Sequence, residues 1–283
     1  MSRTGLRRSL PDLNLLAPLL ALLSLLFVSC TGHARMNIRP PEHYFSGPQL
    51  EIARALLKGD AEAVSRLAPG QDLDIAGRED MTLLFFALQS AFGEKPAQLN
   101  ALSALVRAGA DPLRETPNLG TPLGVALGAK SPDYVRAFLD GGVDPSSRTQ
   151  HGTPILHQTA RHHTEASMRL LLERGADPNA RDRLGRTAAM QAVTSLQLDV
   201  VEPLLDAGSD PNAFSTLGVS LAYGVASALE HYQNDPPTRD KLEQIRDRII
   251  AMGVQWPPLD PPAMRDWMRS QGMKVVVPAG HER

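Results

Sequence analysis

The chain of 283 residues holds a single cysteine, Cys30, and aromatic residues make up only 5% of it. One thiol excludes a disulfide framework, a cysteine-based zinc site and a dithiol redox pair. There is no excess of positive charge: 29 Lys and Arg stand against 31 Asp and Glu, for a formal net charge of −2. That balance lacks the basic footprint of a dedicated nucleic-acid binder. Few aromatics suit helices packed through small residues better than a β-sandwich. No phosphate-cradling glycine loop and no nucleophile elbow occur. The chain is rich in turn formers, with 22 Gly and 23 Pro beside 42% hydrophobic residues. Turn formers at that hydrophobic content point to many regular turns, not to disorder.

The one long apolar run, Leu13 to Ser29, follows Arg3, Arg7 and Arg8 and stops at Cys30. A basic head and an apolar stretch of that size read as a secretory signal, being short for a membrane-spanning helix of ~20 residues. Phe27-Val28-Ser29-Cys30 resembles the lipobox of bacterial lipoproteins, with Phe27 where Leu is usual. The resemblance implies a signal peptide over 1–29, diacylglycerol on Cys30 and a tether over 30–48 holding Pro40, Pro41 and Pro48. Thr31, which is not Asp, implies by the same resemblance an outer-membrane destination on the periplasmic side. The alternatives are an uncleaved anchor, plain secretion, or a start at Met36.

Beyond residue 48 the chain is periodic. Asp111-Pro112, Asp144-Pro145, Asp177-Pro178 and Asp210-Pro211 recur every 33 residues, each shortly after a glycine: Gly109, Gly142, Gly175 and Gly208. A fixed period of this length marks a repeating supersecondary unit. Ten residues after each Asp stands Thr121, Pro154, Thr187 or Ser220. Two short apolar blocks at helical spacing then follow, which predicts two antiparallel helices per unit. The glycine closing each second block suits a left-handed helix end. Small residues at Ala87, Ala126, Ala160, Ala192 and Ala226 fit close helix approach. Insertions lengthen the units that begin at Thr82 and Ser220. Residues 49–74 read as a degenerate first unit with helices over 49–57 and 61–68. Met264, Trp267 and Met268 read as the core side of a capping helix over 261–271.

The stretch from His157 to Asn179 and the "LLDAGSDPNA" of the next unit resemble the ankyrin-repeat family. The resemblance implies an all-α ankyrin-repeat solenoid of helix-turn-helix units with β-hairpin loops over 49–257, followed by a cap and tail over 258–283. It also implies a concave protein-binding face. By register that face carries Arg78, Glu79 and Gln89 in one unit and Asn118 in the next. Gln150, His151, Arg161 and His162 follow, then Arg183, Arg186 and Thr194, and lastly Leu217. Arg161, Arg183 and Arg186 beside His151 and His162 would form a basic groove for an acidic partner.

The ladder aspartates read as turn formers, not as catalytic carboxylates. His157, His162 and His163 miss the i, i+4 spacing of a helical metal site. His157 instead falls where the resemblance places a structural histidine bonded to the adjoining hairpin. No catalytic residue, metal or cofactor is expected. The chain reads as a non-enzymatic, monomeric protein-binding module on a bacterial envelope. Ankyrin lipoproteins of that kind resemble immunity proteins against toxic effectors such as secreted phospholipases. The alternative is a support factor for a periplasmic enzyme such as catalase.

Overall fold

The computed structural model describes residues 38–277, except 118, 161 and 162. Cys30 and the signal and lipid-anchor expectations therefore lie outside the described residues. The described chain is helical, and its hairpins reduce to isolated bridges at Thr116–Gly120, Arg148–Pro154 and Phe214–Ser220, with no strand among them. It divides into two compact units.

The first unit runs to Ala126 and includes 140–142. It holds α1 (Pro41–Tyr44), α2 (Gly47–Lys58), α3 (Ala61–Leu67), α4 (Leu83–Ser90), α5 (Pro96–Arg107) and most of α6 (Pro122–Leu127). Helices α2 to α5 pack as two antiparallel pairs around Ile52, Leu56, Phe85, Phe86, Leu102 and Leu105, all fully buried. The insertion after Thr82 lengthens α5 and its approach from α4.

The tether expected as far as residue 48 ends sooner. Tyr44 and Phe45 are 4% and 5% exposed, and their rings meet Phe86 at 6.1 and 5.5 Å. A Cβ at Gly77 would collide with the Tyr44 carbonyl. Two aromatics placed next to an apolar helix end are buried for their area, and that draws the preceding chain onto the body.

The second unit holds, among the described residues, 127–139 and 143 onward. Its elements are α7 (Asp133–Asp140), a 3-10 segment over Ile155–Thr159, α8 (Glu165–Glu173), α9 (Ala188–Thr194), a 3-10 turn over Leu198–Val200, α10 (Val201–Asp206), α11 (Leu221–His231), α12 (Pro236–Ala251) and α13 (Pro261–Ser270). Pro203 sits in the first turn of α10, where its missing N–H has no helical partner to lose.

The periodic residues perform periodic tasks. In every repeat the Asp carboxylate accepts the N–H two residues on, at 2.8 Å for Asp111, Asp144 and Asp177 and 2.9 Å for Asp210. This turn shapes the chain after each helix pair. Gly109, Gly142, Gly175 and Gly208 take φ between +92° and +107°, the left-handed exit that a β-carbon would strain. Thr121, Thr187 and Ser220 cap their helices through side-chain oxygens at 3.0, 3.4 and 3.0 Å. Where Pro154 takes the same place the cap is missing and the following segment is 3-10, not α. Ala87, Ala126, Ala160 and Ala192 are buried, whereas Ala226 is half-buried.

Candidate protein-binding surface

Asn118, Arg161 and His162 lie outside the described residues. Of the candidates in the first unit, Arg78 is exposed. Glu79 is already occupied, accepting from Arg39 and bonded to His43 Nε2, both at 3.0 Å. Gln89 departs from expectation. It is 4% exposed inside α4, and among the described residues nothing donates to its Oε1. All eight residues of α4 are buried, so this helix has no solvent face on which Gln89 could meet a partner.

In the second unit Gln150 and His151 are exposed at a hairpin tip. Thr194 is exposed, and its hydroxyl donates back to the Met190 carbonyl at 2.9 Å. Arg186 is not the free cation expected of a basic groove. Its Nε and Nη2 hold Asp182 Oδ2 at 2.8 and 2.7 Å, and the Asp182 side chain is only 7% exposed. Burial alone raises the Asp182 pKa. The backbone N–H and guanidinium of Arg186, with the Leu184 N–H, outweigh it and hold the carboxyl below its ordinary value. Arg186 thus locks its own hairpin.

Leu217 is likewise not an open tip. Its carbonyl accepts from Arg265 Nη1 at 3.1 Å, and a Cβ on the adjoining Gly218 would fall 2.6 Å from the Pro261 carbonyl. Helix α13 covers this turn. Met268 on α13 is buried as expected, but Trp267 is 42% exposed and is not core.

His157 behaves as the resemblance implied. Its Nε2 lies 2.9 Å from the Ala180 carbonyl of the next hairpin. Burial pushes its pKa down, against the opposing pull of that carbonyl and of Asp182.

Two residues missing from the expected face tie the hairpins together. Arg148 Nη1 donates to Gly152 and Arg181 carbonyls at 2.9 and 2.8 Å. Arg181 Nη1, one period later, donates to Gly185 and Phe214 carbonyls at 3.0 and 2.8 Å. The signal was available: two arginines 33 residues apart hold the same register. Asn179 adds a further bond, donating to the Gly208 carbonyl at 2.9 Å and accepting from Asp210 N–H at 2.7 Å. Arg183 stands apart from these. It is exposed, its stem lies beside Gly152, and it has no ion-pair partner among the described residues.

This geometry matches known ankyrin repeats. Residues 123–215 fit the family description "Ankyrin repeats (3 copies)". The ankyrin repeat domain of Bcl-3, a member of the IkappaB protein family, is similar at 25% identity and a TM-score of 0.56, over 77% of this chain and 97% of that one. An ankyrin repeat domain from Acinetobacter baumannii AYE is similar in fold at 20% identity and a TM-score of 0.50, over 72% of this chain and 98% of that one. No curated protein matches the sequence. The chain thus has an ankyrin-repeat fold, generally a non-catalytic scaffold for binding other proteins. Among the described residues no helix is long and apolar enough to cross a membrane.

Proposed function

We propose that the protein is a protein-binding module held by lipid on Cys30 at the periplasmic side of a bacterial envelope membrane, where it neutralises a toxic effector such as a phospholipase. The observation that supports partner binding most directly is Arg183, an exposed guanidinium on a row of hydrogen-bonded hairpins with no ion-pair partner among the described residues. Such a group presents planar, bidentate donors to an incoming carboxylate. The lipid anchor rests on the position of Cys30 at the end of the one apolar run. Two or more acyl chains hold a protein on a membrane stably, at ~0.8 kcal/mol per buried methylene.

The experiment is co-expression with the periplasm-directed product of each adjoining gene, scored by growth. Growth restored by the wild-type chain, and weakened by Cys30→Ser, is the expected result. An unmodified Cys30 thiol by mass spectrometry overturns the anchor. Full toxicity of every adjoining product in the presence of the chain overturns neutralisation.

A further inference from the structure

The last hairpin does not end the row of tips. Thr216 N–H donates to the Leu184 carbonyl at 2.8 Å, and Val276 N–H donates to the Thr216 carbonyl at 2.8 Å. The segment after α13 therefore occupies the place where the tip of another repeat would pair. Terminal repeats shield a stack best with a polar outer side. Here Leu184 on the paired tip and Trp267 and Val276 in the cap stay 38%, 42% and 37% exposed among polar neighbours such as Asp266, Arg269 and Lys274. Trp267 meets Phe214 edge-on at 5.7 Å, and the Arg181 guanidinium carbon lies 5.9 Å from the centroid of the same Phe214 ring. The hydrogen bonds link Leu184, Thr216 and Val276, the ring contacts link Arg181, Phe214 and Trp267, and Phe214 and Thr216, two residues apart on one hairpin, connect the two sets.

The hairpin edge beside the patch is basic: Arg148, Arg181 and Arg183 stand on it, and Asp182 between the last two is neutralised by Arg186. Arg148 and Arg181 spend their Nη1 donors on carbonyls, and neither they nor Arg183 has a carboxylate partner among the described residues. The chain as a whole is slightly acidic, so this cluster does not follow from composition.

We propose that the hairpin edge at Arg181 and Arg183, completed by α13 and the segment through Val276, is a docking surface for an extended acidic segment of a partner protein that carries one apolar anchor residue. The carboxylates pair with Arg181 and Arg183, and the anchor covers Trp267 beside Leu184 and Val276. Desolvated aromatic and arginine side chains of this kind dominate interface energetics. An anionic membrane is the other surface that a basic and aromatic patch attracts. Asp266 beside Trp267 is held by Arg269 at 2.6 Å, so it opposes neither occupant, and the vesicle arm of the test separates them. The proposal rests on the protein-binding reading above but assigns the contact to the C-terminal cap.

The test is selection of random twelve-residue peptides on the immobilised full chain, followed by anisotropy titrations of the selected peptides. Sequences rich in Asp and Glu around an aliphatic or aromatic residue are expected. Their affinity should fall at least about tenfold for Trp267→Ala and for Arg183→Glu, and hold for Lys58→Glu. Arg183 has no hydrogen-bond or ion-pair partner to lose among the described residues, so an unchanged melting temperature keeps that variant informative even where Trp267→Ala loosens α13. Peptides without acidic enrichment, no selected peptide, or equal binding to both variants overturn the proposal. So does binding of the full chain to phosphatidylglycerol vesicles that both variants abolish. If both variants still neutralise the effector in cells, this docking surface fails while the protein-binding reading stands.

Discussion

Asn179→Ala measures how firmly one turn holds the next. The substitution removes the 2.9 Å bond to the Gly208 carbonyl and the 2.7 Å bond from the Asp210 N–H. It keeps the Asn179 N–H on Asp177, which is a backbone donor. The Gly208 carbonyl is at an exposed turn where water replaces the lost donor, so that loss is about 0.5–1.5 kcal/mol. The Asp210 N–H is half-buried, and leaving it unpaired costs about 1–3 kcal/mol. Together they amount to about 1.5–4.5 kcal/mol, or a fall in melting temperature of roughly 3–18 °C for a body of this size. Urea titration reads the whole, and amide exchange at Asp210 reads the local part, about thirtyfold faster for 2 kcal/mol. Asn179→Asp keeps the acceptor and should recover most of the loss. Asp74 already fills that role in the first unit, accepting the Asp111 N–H at 2.9 Å. An unchanged urea midpoint with unchanged protection at Asp210 would refute the reasoning, as would an Asp variant no better than Ala.

His157 predicts a pH dependence. Its folded pKa lies below the ordinary ~6.5 because burial outweighs the Ala180 carbonyl and Asp182, with Arg186 and Arg148 also disfavouring the cation. The unfolded chain therefore binds the proton first, so the contribution is present above ~6.5 and is lost as pH falls through the folded pKa. Urea midpoints for wild type and His157→Gln should converge over that descent, and parallel curves would contradict it. Pro154→Thr should supply the missing cap and raise stability by ~1 kcal/mol, whereas Thr187→Ala should lower it by about the same. Circular dichroism and thermal melts check both, and a destabilised Pro154→Thr means that proline's rigidity outweighs the cap. Ala192→Leu, at a site with no exposed surface, should overpack the seam between α9 and α11 and cost about 1–3 kcal/mol by denaturant titration.

The residues legible in one dimension are those whose task is finished within a few positions of themselves. Each ladder aspartate accepts the N–H two residues on, each Thr or Ser cap reaches three residues forward, and each glycine takes a left-handed exit. Such local rules repeat with the sequence period, so the helix pairs and their turns could be read directly. His157 was legible through the ankyrin resemblance, and its partner is the Ala180 carbonyl of the next hairpin. The binding face was not, because exposure is decided by whatever covers a residue. Gln89 faces inward because α4 is enclosed on all sides, and Leu217 lies under α13, which comes from 48 residues further along at Arg265. Tyr44 and Phe45 leave the tether because Phe86, distant in sequence, offers them apolar surface. Sequence by itself determined the repeat and its turns, since their hydrogen bonds close over short, constant spacings. Only the tertiary structure decided which hairpin arginines are tied to carbonyls or to Asp182 and that Arg183 stands open, because that depends on groups brought together across repeats and on the cap that closes the row.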